Sequence, residues 1–186
     1  MATDINTFYN IASQKNFSRD FFMRVKQITV AGLSLNGETD LVFARSATLP
    51  GRDIENKTVS YSGQTFNLGG KSSYPGSESY AIEFFMDASF DLRTKLEKAS
   101  RTLFDNATTT GKMCMPGPDS FIILDVLNIP CGQGNAGGSG LQVIKSLKLV
   151  GASIRTIGAV EYQIADGTGE IQKLPSTWSY HFYENF

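Results

Sequence analysis

Acid–base or nucleophilic chemistry needs a nucleophile beside a base, or paired acids held at working distance. The chain has a single histidine, His181. It falls inside the alternating aromatic run T177-W-S-Y-H-F-Y, where it reads as a structural or contact residue rather than a base. Glu83 and Asp87 lie in the strand-like segment S79-Y-A-I-E-F-F-M-D, at a spacing that puts both on one strand face. They could form an acid pair, but the better reading is a solvated face or one lining a lumen. Cys114 and Cys131 have no CxxC spacing and no nearby histidine, which leaves no zinc or redox motif. They read as free thiols, with one disulfide as the alternative. Gly132, Gly134 and Gly137 match G-x-G-x-x-G, yet a strand-like run from Leu141 to Val150 follows. A dinucleotide site needs a helix there to present its amides to phosphate, so the glycines read as a flexible linker. No GxSxG, HExxH, Walker A or DxDxDG pattern occurs. The expectation is no enzyme, with no catalytic, cofactor-binding or metal-binding residues.

Composition narrows the classes further. The formal net charge is −1 and the isoelectric point about 5.8. A tight duplex binder usually places a basic excess on one face to meet the phosphates, and none is visible. Charged residues make up 19% of the chain, below the usual ~25%. Charge is depleted in the cores of protein interfaces, so the deficit fits a surface covered by neighbours. It fits a loop-rich β protein equally well. The start M1-A-T-D-I-N-T-F-Y-N has neither basic residues nor an apolar stretch, so it does not read as a secretion signal. No apolar run approaches ~18 residues, so no membrane insertion is expected. The sequons at Asn16, Asn56 and Asn106 then read as chance matches.

The elements that would carry these residues are mostly short strands. Residues 1–20 read as an N-terminal arm, and residues 21–186 as one domain. Phe21 to Val30 alternates as a strand, with Asn36-Gly37 as the expected hairpin turn and Leu41 to Leu49 as the return strand. Ile54 to Tyr61 and Gln64 to Leu68 form a hairpin about Ser62-Gly63. Its sides are mostly polar, which is odd for a pair packed on a core, so it is expected to project and to pair elsewhere. Tyr80, Ile82, Phe84 and Met86 share one strand face. Leu92, Leu96, Ala99 and Leu103 form one apolar helical stripe, with Ser89 as its expected N-cap. Arg93, Lys95, Lys98 and Arg101 lie opposite, as a solvated face or a docking face. Phe121 to Ile129 reads as a strand buried on both faces. Ala152 to Ile171 is weakly patterned, and Thr177 to Asn185 reads as one last aromatic strand. The sum is a mainly β chain, β-rich α+β: an antiparallel β-sandwich or barrel with one flanking α-helix.

The order of these blocks resembles the tail tube proteins of contractile-tailed bacteriophages, whose relatives include the inner tubes of contractile injection systems. Three blocks carry the likeness. They are F43-A-R-S-A-T-L-P-G, the long hairpin from Thr58 to Gly70 with the strand and helix after it, and the C-terminal pair S146-L-K-L-V-G-A-S-I-R-T-I-G-A-V and T177-W-S-Y-H-F-Y. The resemblance implies a brick of a hollow tube, with hexameric rings stacked helically and neighbouring sheets joined into an inner barrel. It implies inter-subunit contacts at Tyr61, Gly63, Phe66 and Leu68, and also at Phe8, Tyr9, Phe182 and Phe186, with Glu83 and Asp87 facing the lumen. The implied partners are further copies of the chain and the tail sheath, baseplate, tape measure and tail terminator proteins. DNA would pass without specific binding. The implied location is the virion, after assembly in the bacterial host cytoplasm. The segments from Ala31 to Asp40, Asp105 to Pro118 and Gly132 to Gly140 look longer than this role requires. They leave room for a specialised ring that starts or ends a tube. A monomeric ligand-binding β-sandwich is the alternative of another class.

Overall fold

In the computed structural model, residues 5, 23–37, 39–111, 115–128, 142–162 and 169–186 are described. The expectations for Phe8, Tyr9, Cys114, Cys131 and the glycine-rich linker lie outside these residues. Eleven strands are found among the described residues: β1 (Met23–Val30), β2 (Leu33–Asn36), β3 (Ala44–Ala47), β4 (Asp53–Tyr61), β5 (Gln64–Ser73), β6 (Tyr80–Phe85), β7 (Phe121–Asn128), β8 (Gln142–Val150), β9 (Ser153–Ile157), β10 (Lys173–Ser179) and β11 (Phe182–Asn185). The helix α1 spans Asp91–Leu103. The mainly β, antiparallel architecture with one helix is therefore as the sequence implied.

Strands β11-β8-β7-β1-β2 form a five-stranded sheet and β3-β6-β10-β9 a four-stranded one. Between them Ile28, Leu35, Ile122, Leu124 and Leu149 meet Ile82, Phe84, Leu174 and Trp178. Leu92, Leu96 and Ala99 of α1 join the same core. Full burial of each large side chain contributes about 1.5–3 kcal/mol relative to exposure. Ser176 is buried without cost because its hydroxyl donates to the Ile82 carbonyl at 2.7 Å and accepts from the Trp178 indole at 2.8 Å.

Three local expectations need correction. The first hairpin turns at Ala31-Gly32, both at positive φ, because Val30 pairs with Leu33. Asn36-Gly37 only ends β2, and the short Leu33–Asn36 strand is what places Leu33 and Leu35 in the core. The expected return strand from Leu41 to Leu49 is a 3₁₀ turn, Leu41–Phe43, followed by β3, which pairs with β6 in the other sheet. β7 is buried on both faces as expected, with Asp125 fully buried within it. The Arg24 guanidinium donates to Asp125 at 2.9 and 3.1 Å, and the Ser146 hydroxyl at 2.7 Å, so the buried charge is paired and bonded.

The third correction concerns the C-terminal aromatic run, which is two strands. It breaks at Tyr180-His181, where the Tyr180 amide donates to Ser77 and the His181 amide to Val150. β10 belongs to one sheet and β11 to the other, so Phe182 does not continue the buried face of Trp178 and Tyr180. The His181 ring lies against Gly151, whose φ is +70°; a Cβ there would sit 2.0 Å from His181 Cδ2. His181 is thus a packing residue at the crossing between sheets. Gly151→Ala is expected to destabilise the fold by about 2 kcal/mol, from an unfavourable φ and the contact with His181 together. Urea unfolding read by Trp178 fluorescence measures this, and an unchanged midpoint would refute it.

Candidate functional site

Among the described residues, the β4–β5 hairpin is the feature that the fold leaves without a partner. It forms a two-stranded sheet of its own. Ser62 and Gly63 turn it at φ +51° and +77°, the pair of left-handed residues that suits the twist of a two-residue hairpin. Every residue of β4 is exposed, and so is nearly all of β5. A two-stranded hairpin is at best marginally stable in water by itself. Gly70 lies at an irregularity in the ladder, where a Cβ would come 2.8 Å from the Glu55 carbonyl oxygen.

Register sorts the hairpin's side chains. Lys57 faces Leu68, Val59 faces Phe66 and Tyr61 faces Gln64, so these six share one face. Asn56, Thr58, Ser60, Thr65 and Asn67 occupy the other, which carries no charge. The apolar side chains remain in solvent: Tyr61 is 76% exposed, Leu68 55%, Phe66 50% and Val59 47%. The sequence expectation of a projecting hairpin holds, but its sides are not uniformly polar. One face is an apolar ridge and the other is hydroxyl and amide. Single-strand reading missed this because the ridge exists only once the two strands are set in register.

The other predicted contact residues are placed separately. Phe182 and Phe186 lie on and just after β11, an edge of the five-stranded sheet, and both are exposed. Glu83 projects from the outer face of the four-stranded sheet and is ion-paired with Arg45. Asp87 does not share that strand face, because β6 ends at Phe85. Its carboxylate instead accepts from the Asp91 amide at 2.9 Å, the Leu92 amide at 3.4 Å and the Ser89 hydroxyl at 2.6 Å. Asp87 therefore caps α1. The expected cap, Ser89, orients Asp87, and the N-cap position itself is Phe90 in a left-handed conformation.

On the basic face of α1, Arg93 pairs with Glu97 and Lys95 with Asp40. Lys98 and Arg101 line a shallow depression with Thr94 and Thr102. No group of three or more metal-ligating side chains occurs among the described residues. No helix among them is long and apolar enough to cross a membrane.

Among the described residues, both main sheets end in open edges. β3 and β9 flank the four-stranded sheet, while β2 and β11 flank the five-stranded one. Edge strands present unsatisfied amides and carbonyls that another strand can pair with. Exposed edges together with an amphipathic hairpin of this kind suit association with protein.

No family model matches the chain, and no curated protein matches it in sequence. Solved structures do match its fold. A chain of the six-fold-symmetrised baseplate of the anti-feeding prophage aligns with a TM-score of 0.58 at 9% identity, covering 92% of this chain and 97% of its own length. The tube-terminating cap of the anti-feeding prophage aligns with a TM-score of 0.51 at 12% identity, covering 92% of each chain. The chain thus shares its fold with a baseplate chain and the tube-terminating cap of the anti-feeding prophage.

Asp87 supplies a measurable local consequence. Partial loss of water raises its carboxyl, but the hydrogen bonds from Ser89, Asp91 and Leu92 outweigh this and hold it below the usual carboxylate range. A depressed pKa contributes stability above the unfolded value of about 3.9, and that contribution is lost as pH falls through the folded value. Asp87→Ala is expected to cost about 1 kcal/mol at neutral pH. The difference from wild type should shrink as pH drops below about 4, as followed by thermal unfolding at stepped pH. A pH-independent difference would show that the cap is not ionic.

Proposed function

We propose that this chain is a structural subunit of a contractile-tail or injection-device tube, assembling into rings that stack into a hollow channel. The observation that carries the reading is a fold shared over more than nine-tenths of its length with baseplate and cap components of such a particle, in a chain whose hairpin has no partner of its own. In this reading the free edges β3 and β9 meet head to tail in neighbouring copies, so each subunit's four-stranded sheet continues into the next. Such heterologous contacts close into a ring when the rotation fits, and closure removes the edges. Six subunits per ring is the number implied by the sequence resemblance.

Tyr61, Gly63, Phe66 and Leu68 would form the main contact between copies, with Phe8, Tyr9, Phe182 and Phe186 as secondary ones. Glu83 would face the bore from the outer surface of the four-stranded sheet, with Asp87 near its end. The near-neutral charge would let DNA pass without being gripped. Sheath, baseplate, tape measure and terminator proteins would be the outer and end partners. A phage virion, assembled in the host cytoplasm, would be the setting. A second reading has its own support: the two matches described above come from a baseplate and a tube-terminating cap. The chain would then be a specialised ring that starts or ends the tube. Both readings are structural and ask no catalysis of the chain.

Negative-stain electron microscopy of the purified chain at raised concentration tests the function. Stacked tubes are expected of a main tube subunit and single closed rings of a specialised one, while a persistent monomer refutes both. Phe66→Asp or Leu68→Asp is expected to give a folded, soluble monomer. Asn67→Asp, on the opposite face of the same strand, should still assemble. Intact particles from the Phe66 and Leu68 variants would refute the assignment of the contact.

A further inference from the structure

The hairpin's apolar ridge requires a receiving surface, and the chain carries a groove of matching character. An open groove of about 270 Å³ runs between β1, the 3₁₀ turn and β3. Its apolar lining includes Val25, Leu41, Val42, Ala44 and Ala47. Val42 lines the groove while remaining 67% exposed. We propose that the ridge of Val59, Tyr61, Phe66 and Leu68 seats in this groove on a second copy of the chain. The inference rests on the tube reading above and names the surface that receives the hairpin.

Three observations select a second copy as the occupant. First, the shapes are opposite: the ridge is convex and two strands wide, while the groove is concave and lined by small and branched side chains. Second, the charges are compatible. The groove contains Arg24 and Arg45, but each is already paired, with Asp125 and Glu83 respectively. The ridge face carries one charge, Lys57, opposite Leu68 at its base, while the tip from Thr58 to Asn67 has none. Contact between the tip and the groove therefore strips no unpaired charge of water. Tyr61 and Gln64 supply polar atoms to meet the guanidinium edges, and tyrosine and arginine are the residues most enriched at interface hot spots. Third, the groove lies along β3, an edge strand. The hairpin would thus arrive where the ring contact is already proposed, and the two contacts would form one continuous surface.

Ridge and groove are different patches, so the contact is heterologous: each copy gives its ridge to one neighbour and its groove to another. The hydroxyl and amide face of the hairpin, Thr58, Ser60, Thr65 and Asn67, is then left turned to solvent.

Cysteine cross-linking between two differently marked chains tests this directly. In a background with Cys114→Ser and Cys131→Ser, one chain carries Tyr61→Cys and a second, size-tagged chain carries Val42→Cys. Both positions are exposed, so neither substitution disturbs the core. A disulfide forms only when Cβ atoms come within roughly 3.5–4.5 Å. Mild oxidation of the mixture is expected to give a mixed covalent dimer in at least tenfold greater yield than either variant alone. The double variant in one chain should give a ladder of multimers.

Particles visible by microscopy without the mixed dimer would overturn the groove assignment while leaving the tube reading standing. A double variant that links only within its own chain would show the hairpin folding back and would also overturn it. Failure of the parent chain to assemble at any concentration, with no mixed dimer, would sink the tube reading together with this inference. As a second readout, Val42→Asp should abolish assembly as completely as Phe66→Asp, and Val42→Arg with Phe66→Asp should restore a measurable fraction of it. Full assembly of Val42→Asp would overturn the assignment.

Discussion

The two sheets of this fold are held in one body by the crossing at Tyr180-His181, and much of the architecture depends on it. Up to Ser179 the chain is the central partner of β6 and β9; from Phe182 it is the edge partner of β8. Trp178 and Tyr180 enter the core immediately before the crossing. The ring of Tyr180 meets Tyr80 edge-on at 5.7 Å. Burial pushes the hydroxyls of both tyrosines up in pKa, and the Tyr80 hydroxyl donates to the Thr48 carbonyl in the segment that leads to the hairpin. Gly151 must lack a side chain for His181 to lie where the crossing puts it. Among the described residues neither sheet closes on itself, and β2, β3, β9 and β11 are left at their edges.

A fold with open edges must protect them or use them. Short edge strands and charge are the usual protections. β2, β3 and β11 have four residues each, which limits indiscriminate pairing. The β4–β5 hairpin is neither short nor charged along its distal half, and it carries an apolar ridge into solvent. Nothing in the packing of the described residues accounts for that ridge, whereas association does.

Much of this was legible in the sequence, wherever one period governed one element. The α1 stripe at Leu92, Leu96 and Ala99 and the β6 face at Tyr80, Ile82 and Phe84 are buried as their spacing implied. Ser62-Gly63 was legible because few other residues in that stretch accept positive φ. Competition between local signals caused the misreadings. Asn36-Gly37 is the stronger hairpin dipeptide in isolation, but a turn at Ala31-Gly32 lets Leu33 and Leu35 bury beside Ile28 and Val30, and the core decides. Asp87 was read as a strand residue because the end of β6 is not marked by proline or glycine. Its capping role becomes visible only once α1 is seen to start at Asp91. The break at Tyr180-His181 was hidden because alternation continues unbroken through it while the strand's partners change. The ridge and groove escaped for a related reason: each is assembled from segments whose mutual register no local pattern encodes.

If ridge and groove are the contact between copies, the geometry imposes a division of labour. A heterologous contact alone generates either a closed ring or an open filament, according to the rotation it imposes. Pairing of β3 with β9 in the next copy fixes that rotation through backbone hydrogen bonds, whose spacing permits only discrete registers. The hairpin cannot fix it as tightly, because it leaves its own body as an isolated two-stranded ribbon. It can, however, contribute apolar burial that a four-residue edge strand lacks. Sheet edges would therefore set the closure of the ring while the hairpin supplies most of the association energy. On that argument, the charged face of α1, distinct from both surfaces, is left free for a partner of a different kind.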